Sequence, residues 1–281
     1  MPEITFCILT FNKTPWLGRT IRSISRHCPT GYFVKILVQG VPDRELSEFI
    51  ANLSDPVIEV VRSPENLGCG GGRKILAPMV SSSLTMMLDD DMYLTNASMS
   101  NALEVLARRP DIGAVSMPQY NMRGRMISLG GRRLAIRHGV VRRIKPRTPT
   151  KADYVEVDDL DGGAMLFRTE MRNDFSWDER LEGAMEDLDK SIQIVKVGKW
   201  RQAIVPSGRL IHDRSWVGHR PTYEGKRFDG LTMRRSYRLF RQKWGLRLDL
   251  RTHFLFEVAY PMLTLARSPW GPSSLNKLFR K

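Results

Sequence analysis

The chain is poor in the residues that staple or anchor a protein. Its three cysteines, Cys7, Cys28 and Cys69, show no metal-ligand spacing, and free thiols in a cytosolic protein account for them most simply. Cys7 falls within an apolar run and is expected in the core. No stretch of about 18 or more apolar residues occurs, so no helix is expected to span a bilayer. Met1-Pro2-Glu3-Ile4 enters a strand-like run directly and does not read as a signal peptide. These absences predict a cytoplasmic protein, with peripheral attachment at the inner face of the membrane as its route to a lipid surface.

Acid is scarce too, but only locally. From Arg201 to Lys281 there are 17 Lys and Arg against five Asp and Glu, whereas the first 200 residues carry 27 against 25. A basic tail of this kind can meet nucleic acid, anionic lipid or an acidic substrate. Between Arg123 and Arg147 there are nine Lys and Arg and no acid, with glycines at 124, 130, 131 and 139. That segment is expected to be an exposed, mobile insertion, either a solvated basic loop or one that contacts acceptor or phosphate.

What is present is an alternation of strand-like and helix-like runs. With 281 residues and 42% hydrophobic content, the chain can fill the core of one large α/β domain or of one domain with an appendage. Ile4 to Thr10 reads as a strand apolar on both faces, and Leu17, Ile21 and Ile24 then recur at helical spacing. Tyr32 to Val38 and Val57 to Arg62 are further strands, separated by a helix that Asp43 can cap. Such alternation implies a parallel sheet with helices on both faces. Pro64 to Lys74 reads as a glycine-rich turn leading into a helix, with a spacing that fits neither a dinucleotide fingerprint nor a Walker A loop. As a phosphate loop it is weakly specific; tight turns use the same residues.

The most informative stretch is Leu84-Thr85-Met86-Met87-Leu88-Asp89-Asp90-Asp91. An apolar run without polar alternation reads as a buried strand, and three carboxylates at its end cannot all stay buried. They belong at the carboxyl end of the strand, in a crevice where open α/β sheets place ligands. A hard cation with a phosphate is a natural partner for such oxygens, although an acidic turn capping the next helix fits these residues equally well. Later, Glu186 and Asp187 open a helix carrying Leu188, Ile192 and Val195, so the helix dipole favours their ionised forms. Ordinary first-turn acids would look the same.

Taken in order, these pieces resemble the inverting family 2 glycosyltransferases of the GT-A fold. They are Ile8-Leu9-Thr10-Phe11-Asn12, Glu65-Asn66-Leu67-Gly68 with Gly72-Arg73, Leu88-Asp89-Asp90-Asp91, Gly162-Gly163-Ala164, Glu186-Asp187-Leu188-Asp189 and His212, covering roughly residues 4–215. The resemblance implies a Rossmann-like, mostly parallel sheet, with residues 1–218 as the catalytic domain and 219–281 as a basic helical extension. It implies a nucleotide-diphosphate sugar donor, with Thr10, Phe11, Asn12, Gln39, Asn66, Gly68, Arg73, Asp89, Asp90 and Gly163 on the donor side. Gln39 stands where the family usually has an aspartate for the base, so the base is left open. The resemblance further implies Mn2+ or Mg2+ held by Asp91, Asp89 and His212, with Asp90 structural. Asp187 maps to the general base, with Glu186 as the fallback, in a hexosyl- or deoxyhexosyltransferase acting on a glycan or lipid-linked acceptor.

The chemistry is self-consistent. A cation at the diphosphate offsets leaving-group charge, and a carboxylate opposite takes the acceptor proton, which implies one displacement with inversion. In the tail, Met233, Tyr237, Phe240 and Trp244 lie at helical spacing with arginines between them. The helix is expected either to pack on the core or to attach to an anionic membrane surface. A second class of reading is a nucleic-acid-binding protein that grips phosphates through its basic segments. The tail aromatics read as a buried stripe and no nucleic-acid motif is visible, so no nucleic-acid partner is expected. A sugar-nucleotide-binding protein without catalysis is a third reading.

Overall fold

The apolar runs pair as the alternation implies. The computed structural model describes residues 3–147, 152–215 and 229–262. Strands β1 (Ile4–Thr10), β2 (Tyr32–Gln39), β3 (Ile58–Ser63) and β4 (Leu84–Asp89) lie side by side in parallel, joined through helices α1 (Thr14–His27), α2 (Arg44–Ala51) and α3 (Gly68–Leu76). Beyond β4 come β5 (Met92–Leu94), α4 (Met99–Arg108), β6 (Ile112–Ser116), β7 (Gln119–Tyr120) and β8 (Met126–Ser128). They are followed by β9 (Gly131–Arg137), β10 (Val140–Ile144), β11 (Val155–Val157), β12 (Asp159–Leu160) and β13 (Ala164–Arg168). The eight-stranded sheet is completed by β14 (Arg201–Ile204), which follows α5 (Glu186–Val197), in the order β11-β14-β6-β13-β4-β1-β2-β3. Only β13 and β11 run against the others. Both faces are packed: Ile8, Ile36, Met86 and Leu166 line one, and Cys7, Leu37, Met87 and Met165 the other. The adjacent residues 7 and 8, 36 and 37, and 86 and 87 fall on opposite faces, as the two-residue side-chain period of a strand requires.

Two expectations change. The glycines after Pro64 do not form a loop; Gly70, Gly71 and Gly72 lie inside α3, where side chains do not fit. A Cβ on Gly72 would come within 2.8 Å of Leu9, and one on Gly70 within 3.0 Å of the Asp178 carbonyl. The small residues let α3 lie flat on β1 and the 178–186 segment, which carries Arg73 over the strand ends.

The basic segment 123–147 is an ordered β-structure, not a mobile insertion. β9 and β10 form a hairpin turning at His138-Gly139, both with positive φ (49° and 71°), the conformation a two-residue turn needs. β9 pairs with β12 at Gly131 and Arg132, and β10 pairs with the late strand β16 (Arg247–Leu248) at Val140 and Val141, so each edge of the hairpin has a partner strand over part of its length. Alternating arginines hid this in the sequence, because the few apolar positions, such as fully buried Val141, are all the hairpin contributes to a core.

The tail helix α6 (Gly230–Trp244) begins at Asp229, which accepts from Thr232 N–H, and ends at Gly245 with φ 65°. Its apolar stripe packs on the core: Tyr237 and Phe240 are fully buried with Leu188 and Ile192 of α5, and Met233 and Trp244 flank them. The apolar residues after Met262 lie outside the described residues. Among the described residues no helix is long and apolar enough to cross a membrane.

Candidate active site

The ends of β1, β2 and β4, the start of α5 and the helix α3 converge on one crevice. β4 ends at Asp89, and Asp90 and Asp91 follow before β5 turns back. Arg73, almost fully buried, projects from α3 between two carboxylates: Nη2 lies 3.3 Å from Asp89 and Nη1 3.1 Å from Asp187. Asp187 also accepts from the Gly162 N–H at 3.0 Å, and the Gly163 carbonyl accepts from Asp89 N–H at 2.9 Å. Side chains at residues 162 and 163 would overlap the carboxylates of Asp187 and Asp89. The two glycines therefore form a bare floor on which both acids rest.

The start of α5 is held by strain. Met185, directly ahead of Glu186, has φ 77°, a left-handed conformation uncommon outside glycine. It aims the first turn of α5 at the crevice. Glu186 is buried, its Cβ packed toward Gly70 of α3, while Asp187 keeps about a quarter of its side chain exposed, which makes Asp187 the more accessible acid. Burial raises the cost of charge on Asp187, but Arg73, Lys190, the Gly162 N–H and Arg143 outweigh it and hold its pKa below the ordinary value.

Asp90 and Asp91 turn inward and meet a residue that sequence reasoning passed over. Lys13 Nζ lies 3.2 Å from Asp90 and 3.1 Å from Asp91. The signal was its place right after Asn12, whose positive φ of 54° swings the chain back beneath the acids. Burial pushes the Asp90 carboxyl up to about 6, against the pull of Lys13. His212, at the end of β15 (Leu210–His212), brings Nε2 to 3.5 Å from Asp91 Oδ1. Behind it, Asp213 donates its N–H to the Asp91 carbonyl (2.8 Å) and accepts from Tyr93 (2.9 Å) and Arg19 (3.1 Å). Asp91 and His212 thus face each other, whereas Asp89 is turned to Arg73. No group of three or more metal-ligating side chains occurs among the described residues.

The other residues that the family resemblance puts on the donor side lie at the ends of β1 and β2 and in the turn into α3. Thr10 is buried at the end of β1, and Phe11 packs its ring on Gly40. Asn12 accepts from Asp43 N–H at 2.8 Å, tying the β1 loop to α2. Asn66 accepts from Gly68 N–H at 3.0 Å and shapes the turn into α3. Gln39 is buried, and its carbonyl oxygen accepts from Leu67 N–H at 3.0 Å, so that half of its amide holds the same turn.

Two buried groups beneath the floor were not singled out from sequence. Lys190, one turn along α5 from Asp187, is fully buried and donates to the Leu160 carbonyl at 2.9 Å. Asp159 is fully buried and joins Ser191 (2.8 Å) to Arg143 (2.6 Å), coupling α5 to the hairpin.

A parallel sheet with acidic strand ends, a bare glycine floor and a helix-borne carboxylate opposite defines a GT-A glycosyltransferase fold. The sequence matches the model for "Glycosyl transferase family 2" over residues 5–176, and the chain belongs to that family. Among solved structures it is similar to GalNAc-T7 with UDP, GalNAc and Mn2+, with a TM-score of 0.63 at 18% identity, covering 94% of this chain and 58% of that one. It is also similar to TarS of S. aureus (TM-score 0.57, 12% identity, 95% of this chain and 44% of that one). A third is the mannosyltransferase PcManGT from Pyrobaculum calidifontis in complex with GDP-Man and Mn2+ (TM-score 0.55, 13% identity, 99% and 78%). The chain thus spans about half the length of the first two. Comparison with curated proteins finds no match.

Proposed function

We propose that this protein transfers a sugar from a nucleoside diphosphate sugar to an acceptor hydroxyl, with inversion at the anomeric carbon. The observation that carries this reading is the Arg73 bridge: one buried cation fixes Asp89 and Asp187 on either side of a floor without side chains. A sugar lying against the Arg73 bridge would have Asp89 toward its donor side and Asp187 at the edge where the acceptor enters.

Asp91 and His212 suit a divalent cation such as Mn2+ or Mg2+. One carboxylate oxygen and one imidazole nitrogen form a donor set that leaves the remaining positions to phosphate and water, as hard cations bound with substrate phosphates require. When bound, such an ion offsets the charge of the departing diphosphate. Lys13 adds a fixed positive charge on the same side. Asp187, kept ionised by Arg73 and Lys190, accepts the proton of the acceptor hydroxyl as its oxygen attacks the anomeric carbon. The bond from that carbon to the diphosphate breaks, and the diphosphate leaves with the electron pair. Asp187 meets Arg73 opposite Asp89, and a reading with one carboxylate acting on the acceptor is one displacement rather than a two-step retaining path.

The test is a screen of nucleotide sugars by thermal shift and by hydrolysis, with and without Mn2+. Stabilisation by one nucleoside diphosphate that depends on metal is expected, with loss of turnover in Asp91→Ala and Asp187→Asn and retained folding. Undiminished turnover in both variants overturns the proposal.

A further inference from the structure

The helical run 250–262 that follows β16 has two faces, and they have different surroundings. Its inner face is Thr252, Phe256 and Tyr260. Phe256 packs its ring on Tyr237 of α6, with centroids 5.2 Å apart, and on Tyr260 at 5.6 Å. The Tyr260 carbonyl presses on Gly230 so closely that a side chain there would overlap it. Glu257, the one acid of the run, is engaged by Arg234, Arg238 and Arg241 of α6, at 3.0, 3.0 and 3.1 Å. The run is therefore anchored to the body of the protein.

The outer face is Leu250, Phe254, Val258 and Met262, which are 79%, 56%, 37% and 55% exposed. They recur every fourth residue. In a regular α-helix that spacing drifts forward around the axis, because a turn takes 3.6 residues. Here the run passes from α-helix (Leu250–Phe254) into a wider π-turn (Leu255–Ala259), where the same spacing drifts backward. The run returns to α-helix at 260–262, so the backward drift cancels one of two forward ones, and the four side chains stay within one stripe. Contiguous apolar stripes of this kind mark interaction surfaces. Next to Leu250 the run carries the exposed cation Arg251, in a tail of 17 Lys and Arg against five Asp and Glu, and its own acid is already paired. An apolar stripe in a basic tail is complementary to a lipid surface bearing negative charge.

On the other side of the same turns lies a cavity of about 390 Å³. Its walls include Val141 and Arg143 of the hairpin, Met185 and Asp187 at the start of α5, and Thr252 and Phe256 of the run. One helical run thus separates an exposed apolar stripe from a cavity that opens on Asp187.

We propose that the run 250–262 docks this protein on an anionic bilayer surface, holding the Asp187 cavity at head-group level, where it receives the saccharide of a membrane-borne acceptor. The docking stands on the stripe and its charge; the acceptor half rests on the glycosyl-transfer reading above.

The test is co-sedimentation of the full-length protein with phosphatidylcholine vesicles, with and without phosphatidylglycerol. Binding is expected only to the anionic vesicles and is expected to weaken with added salt. The double variant Leu250→Ser, Phe254→Ser changes exposed side chains outside the cavity and is expected to keep its melting temperature and nucleotide-induced thermal shift. Its vesicle affinity is expected to fall about tenfold or more. Equal sedimentation of variant and wild type, or no sedimentation of the wild type, overturns docking. So does a wild-type dimer that the variant converts to monomer without any vesicle binding, since the stripe would then face a second copy. Loss of vesicle binding in the variant, with no nucleotide-sugar turnover in any form of the protein, upholds docking and overturns the glycosyl-transfer reading instead.

Discussion

The guanidinium of Arg73 lies 3.1 Å from the carboxylate of Asp187, joining residues from two helices that meet only at this crevice. Because the same group reaches Asp89 at 3.3 Å, one side chain sets the relation between the two acids. Arg73→Lys keeps the charge but cannot span both partners with a planar fork. Transfer is expected to fall by about a hundredfold with a small change in melting temperature. Steady-state kinetics beside calorimetry checks this, and an unaltered kcat would show that the bridge is ornamental.

The glycine floor makes a sharper prediction. Gly163→Ala drives a methyl into the Asp89 carboxylate, and Gly162→Ala drives one into Asp187. Each variant is expected to fold yet lose transfer, with Gly163→Ala impairing donor binding and Gly162→Ala impairing chemistry. Nucleotide affinity measured by calorimetry separates the two, and identical defects would contradict the division of labour between the acids.

Lys190 lies beneath Asp187 and helps keep it ionised. Removing that cation in Lys190→Met raises the Asp187 pKa, and a base must be ionised to act. The acid limb of the rate profile is therefore expected to move to higher pH, while stability falls, because the Leu160 carbonyl loses its buried donor and Asp187 and Asp159 lose a neighbouring cation. A pH profile of kcat that does not move would mean that Lys190 carries no charge there.

Trp244 donates to the fully buried Asp189 at 2.7 Å, and Lys243 supports it at 2.8 Å. Trp244→Phe keeps the ring packing and removes the donor, which leaves a buried carboxylate under-satisfied. A loss of about 1–3 kcal/mol is expected in denaturant unfolding. A value near zero would mean that Lys243 suffices.

The attachment of α6 is expected to be acid-labile. Hydrogen bonds from Arg180, reinforced by Lys243, hold the Asp178 pKa below its ordinary value despite partial burial. Burial opposes ionisation of Glu257, but Arg238 and Arg234 prevail and lower its pKa too. Both acids therefore bind protons more readily in the unfolded chain. Their stabilisation is complete at neutral pH and declines as the pH falls below about 4 toward the lowered folded values. Hydrogen exchange of the Tyr237–Trp244 amides, compared at pH 4 and pH 7 after correction for intrinsic rates, reads this out.

Much of this was legible in the residues. The strands of the main sheet announced themselves because both faces are buried, so apolar runs such as Ile4–Thr10 and Leu84–Leu88 are continuous. The acids drew attention because three carboxylates cannot follow a buried strand without a reason; in the structure Asp89 and Asp187 meet through Arg73, and Asp91 faces His212. The β9–β10 hairpin was hidden, since alternating arginines look like a loop until β12 and β16 pair with its edges. Lys13 and Lys190 were hidden for a related reason. A lysine reads as surface until its partners, far away in sequence, are known. The glycines of α3 misled, because their use is close packing rather than a turn.

The pairing of Val140 with Arg247 bears on how the protein is made. Strands β1 to β4, with Arg73 and Asp89 to Asp91, all precede residue 92, and their parallel pairing can begin before the later strands have been made. The outer wall of the Asp187 cavity cannot form until Phe256 has emerged and β16 has found β10, a contact between segments far apart in the chain that is slow to close. Under the proposed function, a nascent chain would recognise nucleotide before it could admit an acceptor, and a message truncated ahead of Leu248 would yield a protein that occupies donor without using it.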